Sequence, residues 1–464
     1  MHMIETLLHL PLAEGTHSAL SERFSDLAPP LTARQAAVES ARCLYCYDAP
    51  CTRACPTGID VASFIRNIQD QNINGAATTI LQQNIFGGAC ARVCPTEILC
   101  EDACVRNNDA EAQPVKIGLL QRHALDHAHF DGHPFKRAAG TGKTIAVVGA
   151  GPAGLSCAHR LAMLGHDVVV FEAREKAGGL NEYGIAKYKL PGDFAEREVA
   201  FLLSIGGIEI RHGQVLGVNL HLADLHARFD AVFLGIGLAA SRQLGLLGED
   251  APGLLAAVDY IATLRQAGDL AALPVPRRAI VIGAGNTAID MAVQLKRLGA
   301  EEVTMVYRRG FESMSATGHE IEIAKTHFVR IRTWAAPLEV LLDDGGRVCG
   351  MRFEETRMQD GRVVATGAII EVAADAVFKA IGQGMGLGAL VDPLALELER
   401  SGKDGNQRIM VDARLRTALP GVYAGGDCIA PGQDLTVQAV QHGKLAALAI
   451  HDDIQSKAEA AWPT

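Results

Sequence analysis

The chain has 464 residues, enough for about three domains at ~150 residues each. It is 48% hydrophobic and 21% charged with a formal net charge of −10, which fits a globular protein and argues against nucleic acid or an anionic membrane as its main partner. No apolar run reaches the ~18–20 residues of a membrane helix. The start, MHMIETLLHLPLAEG, has no basic region ahead of an apolar one, so a cytoplasmic chain is expected.

The first 30 residues carry no readable pattern. Residues 31–43 predict a short amphipathic helix opened by Thr32, and VASFIRNIQD predicts a second helix inside a cysteine-rich stretch. Residues 130–142 lack periodicity and hold Gly, Pro and charge, the marks of a linker. The pattern then becomes strand, glycine turn, helix, strand: TIAVVG, a helix over 152–164, and DVVVFEA. A second copy runs through AIVIGAG, a helix over 286–298, and EVTMVYRR. Two dinucleotide-type folds in series are expected. The last stretch, from GVYAGGDC onward, reads as strand, loop and helix.

Eight of the 11 cysteines lie between Cys43 and Cys104. Their order is Cys43-x2-Cys46-x4-Cys51-x3-Cys55-Pro56, then Cys90-x3-Cys94-Pro95-x4-Cys100-x3-Cys104. Iron–sulfur clusters need several thiolates converging on each cubane, and a Cys-Pro pair recurs in such loops. Zinc is the alternative, but it prefers two clean C-x2-4-C knuckles, and this run is more crowded. Arg42, Arg53, Arg92 and Arg106 flank the thiols, either as counter-charges to the clusters or as ordinary surface arginines. Cys157, Cys349 and Cys428 stand apart and are expected as small buried apolar residues.

Gly149-Ala150-Gly151-Pro152-Ala153-Gly154 is G-x-G-x-x-G between a strand and a helix. The first glycine allows the tight turn, the second admits a pyrophosphate, and the third lets helix pack on strand. The helix N-terminus then meets the phosphates, and Glu172 stands where an acid binds a ribose hydroxyl. Gly178-Gly179-Leu180 follows closely and Gly425-Gly426-Asp427 much later; by resemblance to flavoproteins with these motifs, the two separated pieces are expected to close on one ligand, FAD. No cysteine lies between Glu172 and Pro191, so a redox disulfide of the reductase type is absent there. Gly283-Ala284-Gly285-Asn286-Thr287-Ala288 is the second turn, G-x-G-x-x-A. Its strand runs into Tyr307-Arg308-Arg309 with no acid, and an arginine fork in place of a carboxylate favours NADPH over NADH.

With cysteines, FAD fold, NAD(P) fold and Gly-Gly-Asp in this order, the chain resembles the glutamate synthase small-subunit superfamily over roughly residues 30–450. That superfamily includes the small subunit of bacterial dihydropyrimidine dehydrogenase. Ile117-Gly118-Leu119-Leu120-Gln121 and Gly184-Ile185-Ala186-Lys187-Tyr188-Lys189-Leu190-Pro191 look like the pyrimidine enzymes' versions of these motifs. Glutamate synthase small subunits usually carry Glu where Gln121 stands. The resemblance implies one [4Fe-4S] cluster on Cys43, Cys46, Cys51 and Cys104, and a second on Cys55, Cys94, Cys100 and Gln121, with Cys90 not a ligand. The Cys104–Gln121 spacing is longer than the family's by a residue or two.

The resemblance also implies cofactor contacts at Gly179, Leu180, Lys189, Leu216, Gly426 and Asp427, the last at the ribityl chain. In the nicotinamide fold it implies Ala284, Gly285, Asn286, Thr287, Arg308, Arg309, Ala380 and Gly382. A further 2′-phosphate arginine of the family falls near Ser315. The implied architecture is an α-helical bis-[4Fe-4S] domain (1–140) followed by two nested Rossmann-like α/β domains. FAD would occupy 141–261 and 377–464, and NAD(P)H 262–376. The implied activity passes electrons from NAD(P)H through FAD and two clusters to an FMN-bearing partner subunit that reduces uracil or thymine, in a heterotetramer. Hydride moves between cofactors, so no catalytic acid or base is expected. The rivals are a glutamate synthase small subunit or another NAD(P)H-dependent electron-transfer module and, from a different class, a non-enzymatic iron–sulfur scaffold.

Overall fold

The computed structural model describes residues 16–385, 396–400 and 407–460. The chain divides into two compact units that interleave along the sequence. The larger takes residues 28–182, 192–239 and the described residues from 385 on; the other takes 183–191, 240–384 and the described residues before 28.

The larger unit begins with short helices. Thr32 caps helix Ala33–Ser40 through a capping box with Gln35. Helix Val61–Gln69 is capped by Asp60, which accepts from Ser63 N, and buries Val61, Phe64, Ile65 and Ile68, one stripe at helical spacing. These four pack with Ala76, Ile80, Ile117, Leu120 and Ala124 into a core that touches Cys43, Cys51, Cys55, Cys100 and Cys104.

The rest of this unit is a five-stranded sheet in the order Val422–Ala424, Ala231–Leu234, Thr144–Val148, Asp167–Phe171 and Ile208–Arg211. All its pairings are parallel. Parallel strands need helices to cover them, and Pro152–Met163 and Thr436–Ala460 do so. Those two helices approach closely at Gly443, where a Cβ would fall 2.1 Å from Ala153 O. Ser156 Oγ donates across the contact to Val440 O at 2.8 Å.

The second unit repeats the theme with parallel strands Leu254–Ala256, Ala376–Lys379, Arg278–Ile282, Glu302–Val306 and Arg330–Arg332 in that order. Leu254–Ala256 pairs with Ala376–Lys379, so the sheet reaches outside the 262–376 span. The strand expected to run through EVTMVYRR ends at Val306, and the two arginines lie in the loop beyond. Helix Thr16–Arg23 belongs here, with Arg297 Nη1 donating to Arg23 O at 2.6 Å.

A three-stranded antiparallel sheet, Ala335–Leu342, Val348–Gln359 and Arg362–Ala373, completes the unit. Its second hairpin turns at Asp360-Gly361, both at positive φ (50° and 73°), a strong hairpin signal in the sequence. Cys349 lies on its middle strand and is exposed, against expectation. Alternation along that strand turns Val348 and Gly350 inward and leaves Cys349 outside. Cys157 and Cys428 are buried as expected. No helix among the described residues is long and apolar enough to cross a membrane.

Candidate functional site

Four thiols from two segments of the chain meet first. Cys43, Cys46, Cys51 and Cys104 line one cavity of about 30 Å³, walled by Val61, Ile65, Val115 and Ile117. Burial pushes the Cys43 thiol up and the Cys51 thiol up to about 11, and neighbouring thiolates add to both. Thiols held this way stay protonated until a metal takes the charge. Among the described residues no three His, Cys, Asp or Glu side chains close on a single-ion position. The thiols surround a volume rather than a point, which suits a cluster and its apolar shell.

Cys55, Cys94 and Cys100 form a second group. The Cys94 thiol is raised by its hydrogen bond with Cys90, by burial, and by Cys100 and Cys55. Cys100 is raised by burial, by Glu101 and by Cys55 and Cys51. Gln121, on helix Ile117–His127, is 8% exposed, and its Nε2 donates to Gly87 O at 2.7 Å. That bond fixes the amide nitrogen toward Gly87.

The flanking arginines are tied to carboxylates. Arg42 pairs with Glu39 (2.6 Å) and Glu111 (2.9 Å), Arg92 with Asp126 (2.7 Å), Arg106 with Asp109 (2.8 Å) and Arg53 with Asp48 (3.3 Å). Arg42 also donates to Gln113 O and Pro114 O, and Arg106 to Arg42 O. Arg42 and Arg106 thereby tie together the two segments that carry the thiols.

In the first dinucleotide fold the three glycines have distinct roles. Gly149 sits at φ +97°, and a Cβ there would fall 2.4 Å from Gly235 O. A Cβ on Gly154 would fall 1.9 Å from Gly149 O. At Gly151 a Cβ would meet only Gly179 Cα, at 3.8 Å, so open space lies beside Pro152 and Ala153 at the N-terminus of helix Pro152–Met163. The Glu172 carboxylate accepts from Ala150 N (2.7 Å) and Arg174 N (2.8 Å), so it holds the turn's shape.

Across from it, Gly426 N donates to His442 Nδ1 at 3.2 Å. Asp427 follows, its carboxyl pushed up to about 7 by burial and by Asp434, against the pull of Arg408. Leu180 is exposed, and Leu216 forms an isolated bridge with Leu220. Asn181, unnoticed in the sequence, is buried; its Oδ1 accepts from Thr436 Oγ1 at 3.2 Å, and its Nδ2 has no partner. An orphaned buried donor beside an open glycine cradle fits a polar cofactor such as FAD.

The second fold repeats the hydrogen bond that closes the turn. Gly149 N donates to Phe171 O (2.8 Å), and Gly283 N donates to Val306 O (3.0 Å). Glu172 therefore corresponds to Tyr307, whose hydroxyl is spent on Ser313 O at 2.8 Å. Arg308 and Arg309 follow with exposed side chains, their carbonyls fixed by Thr356 Oγ1 and Trp334 N. Ala284 O accepts from Ala316 N, and Ser315 Oγ lies 3.2 Å from the Cβ position of Gly285. Asn286 and Thr287 open helix Asn286–Leu298. Ala380 and Gly382 close the far side: a Cβ on Gly283 would fall 2.2 Å from Ala380 O, and Gly382 takes φ +100°. Lys189 is buried in this unit, its ammonium 2.6 Å from both Asp290 and Glu320.

Comparison with known proteins now bears on this arrangement. Residues 20–132 match the family described as dihydropyrimidine dehydrogenase domain II, 4Fe-4S cluster, and residues 143–443 match the pyridine nucleotide-disulphide oxidoreductase family. The chain is 35% identical over 429 residues to the NAD-dependent dihydropyrimidine dehydrogenase subunit PreT of Escherichia coli K12, covering 92% of this chain and 96% of that protein. It is 33% identical over 445 residues to the E. coli NADPH glutamate synthase small chain, covering 91% and 92%.

The chain belongs to the superfamily of PreT and the glutamate synthase small chain.

It is an NAD(P)H-dependent flavin and iron–sulfur oxidoreductase subunit. Its α/β fold is similar to that of Mycobacterium tuberculosis FprA in complex with NADPH (TM-score 0.55, 20% identity, 69% of this chain and 87% of that one). Thermoplasma acidophilum thioredoxin reductase is similar (TM-score 0.53, 20% identity, 68% and 99%). All 11 cysteines are free thiols in this superfamily member, so no disulfide stands by the flavin fold.

Glu198 is a further residue that sequence reasoning missed, because its partners lie on a distant helix. On helix Phe194–Leu203, it accepts from Ala89 N at 2.9 Å through Oε1 and so holds the helix Gly87–Val93 that leads into Cys94. Gly88 makes room, since a Cβ there would fall 2.8 Å from Glu198 Oε1. Burial pushes this carboxyl up to about 7, and its Oε2 has no partner. A folded-state value above the unfolded one means the folded chain holds the proton longer. The stability associated with Glu198 is therefore full below about pH 4 and falls as pH rises to about 7. Glu198→Gln keeps an acceptor and removes the charge. It is expected to stabilise the protein by roughly 1–3 kcal/mol at pH 8 and by almost nothing at pH 4; thermal unfolding at the two pH values checks this.

Proposed function

We propose that this chain is the electron-input subunit of a dihydropyrimidine dehydrogenase. It takes electrons from NAD(P)H and delivers them through FAD and two [4Fe-4S] clusters to an FMN-bearing partner that reduces uracil or thymine to the 5,6-dihydropyrimidine, in a cytoplasmic heterotetramer. The observation that carries the reading is Gln121. A glutamine, rather than the glutamate usual in glutamate synthase small subunits, is held by Gly87 O next to the Cys94 helix.

Cys43, Cys46, Cys51 and Cys104 would hold one cluster, and Cys55, Cys94, Cys100 and Gln121 the other. Gly151 and the first turn of helix Pro152–Met163 would take the FAD pyrophosphate. Glu172 keeps lone pairs for the ribose, and Gly426 and Asp427 serve the ribityl end. Bound FAD supplies a hydride acceptor that releases electrons singly to the clusters. The chain orients the cofactors and keeps water from the thiols through Val61, Ile65, Val115 and Ile117. The proton that arrives with the hydride would be released to water as the two electrons leave, so no side chain need hold it.

Arg308 and Arg309 would bind a 2′-phosphate. The double variant Arg308→Ala/Arg309→Ala is expected to raise KM for NADPH by about 10-fold or more, the worth of one charge-assisted hydrogen bond, and to leave KM for NADH within about twofold. Equal changes with both nucleotides would remove that role.

The reading is tested by purifying the tagged chain anaerobically with its native partner and assaying uracil-dependent oxidation of NADPH and NADH. Uracil activity with an FMN-bearing subunit supports it. Glutamate formed from glutamine and 2-oxoglutarate, without uracil activity, would move the chain to the other branch, which the 33% identity to the glutamate synthase small chain keeps in view.

A further inference from the structure

Helix Thr436–Ala460 opens at Thr436, against Asn181 of the flavin loop. Two turns further on it carries a lysine into the interior. Lys444 is 8% exposed, and its ammonium donates to Thr57 O (2.7 Å), Gln83 Oε1 (3.0 Å) and Gln83 O (3.2 Å). Thr57 lies two residues past Cys55, and its hydroxyl is 3.3 Å from Cys55 Sγ. Arg160, on helix Pro152–Met163, reaches the same place, with Nη2 donating to Gln82 O at 2.7 Å.

Two cations therefore meet the C-terminal end of helix Ile73–Gln83. Every acceptor named is neutral. Burial pushes the Lys444 ammonium down to about 8, and Arg160 pushes the same way. Arg160 is lowered by burial alone. A helix C-terminus supplies about half a negative charge, against two full positive ones. The arginines beside the thiols are each neutralised by a carboxylate; among the described residues, no carboxylate pairs with either of these two cations. A buried ammonium without a counter-charge is unfavourable, and the missing charge is what a thiolate-bound cluster at Cys55 brings.

We propose that Lys444, backed by Arg160, is the resident counter-charge of the cluster on Cys55, Cys94, Cys100 and Gln121, and that it favours that cluster's reduced state. Lys444 is a positioning residue acting by its field. One electron enters the cluster from the flavin, no bond forms or breaks, and no proton need follow because the compensating charge is already in place. The inference rests on the two-cluster reading, which iron content tests separately.

The experiment is an anaerobic redox titration of the full chain, followed by electron paramagnetic resonance, on wild type, Lys444→Gln and Lys444→Arg, with iron counted in each. Wild type holding only one cluster's iron would sink the two-cluster reading itself. With two clusters present, Lys444→Gln should raise the oxidised-to-reduced ratio of one cluster at a fixed potential about tenfold, or about 59 mV for one electron. The other cluster should stay within about twofold, and Lys444→Arg should restore most of the shift. An unchanged ratio, or an equal shift in both clusters, overturns the proposal. If Lys444→Gln loses the cluster, Arg160→Gln decides: a smaller shift in the same direction supports the proposal, and no shift makes Lys444 a structural pin only.

Discussion

Replacing Cys104 with alanine is expected to lower the affinity for cluster iron by more than about 100-fold and to halve the iron content, while FAD stays bound. Cys104 comes from a different loop than Cys43, Cys46 and Cys51, yet lines the same cavity. Three thiolates from one short segment cannot close a cubane, so the fourth is worth more than its share of the bonds. FAD should survive because the sheet that carries the flavin turns has a core centred on Val147, Val170, Phe233 and Val440, whereas Cys104 belongs to the other core, around Phe64, Ile65 and Leu120; Leu81, Ile85 and Phe86 of the cysteine-bearing part join the sheet's core and do not touch the thiols' cavity. Iron and flavin counts on the purified variant check both halves. Loss of flavin together with iron would mean that the helical part and the sheet fold as one.

Two alanine substitutions three residues apart should fail in opposite ways. Gly154→Ala puts a Cβ 1.9 Å from Gly149 O, a backbone atom locked in the turn. The helix must lift from the strand, at ~1–3 kcal/mol or more, so a drop of several degrees in Tm and loss of FAD are expected together. Gly151→Ala meets nothing nearer than 3.8 Å in the protein. It should fold with the wild-type Tm in the absence of flavin and still bind FAD at least about tenfold more weakly, because the methyl occupies the space a pyrophosphate needs. Flavin titration and calorimetry of the flavin-free proteins separate the two. An unimpaired Gly151→Ala would show that the phosphate does not enter over that residue.

The local parts of this design were legible in the sequence for local reasons. Thr32 announces a capped helix, and the structure has it, with Gln35 completing the cap. The strand–glycine–helix pattern placed both parallel sheets, because buried parallel strands are continuous apolar runs and the turn admits only glycine at φ +97° and +141°. The antiparallel sheet of 335–373 was missed although Asp360-Gly361 marks its turn, because its strands are half exposed and mix charged with apolar residues. Cys349 was misplaced for the same reason: without a strand there was no face to assign it to.

The sequence by itself determined the two runs of cysteines and the two glycine turns, since each depends on residues within a few positions of one another. The tertiary structure decided which thiols share a cavity, and that Glu172 braces its own turn. It also decided that the arginines beside the thiols are occupied by carboxylates while a lysine 387 residues from Thr57 lies beside it. Periodicity and spacing register only neighbours along the chain, whereas an electrostatic field acts through space. The charges that surround a buried site are therefore set by packing, and no local pattern records them.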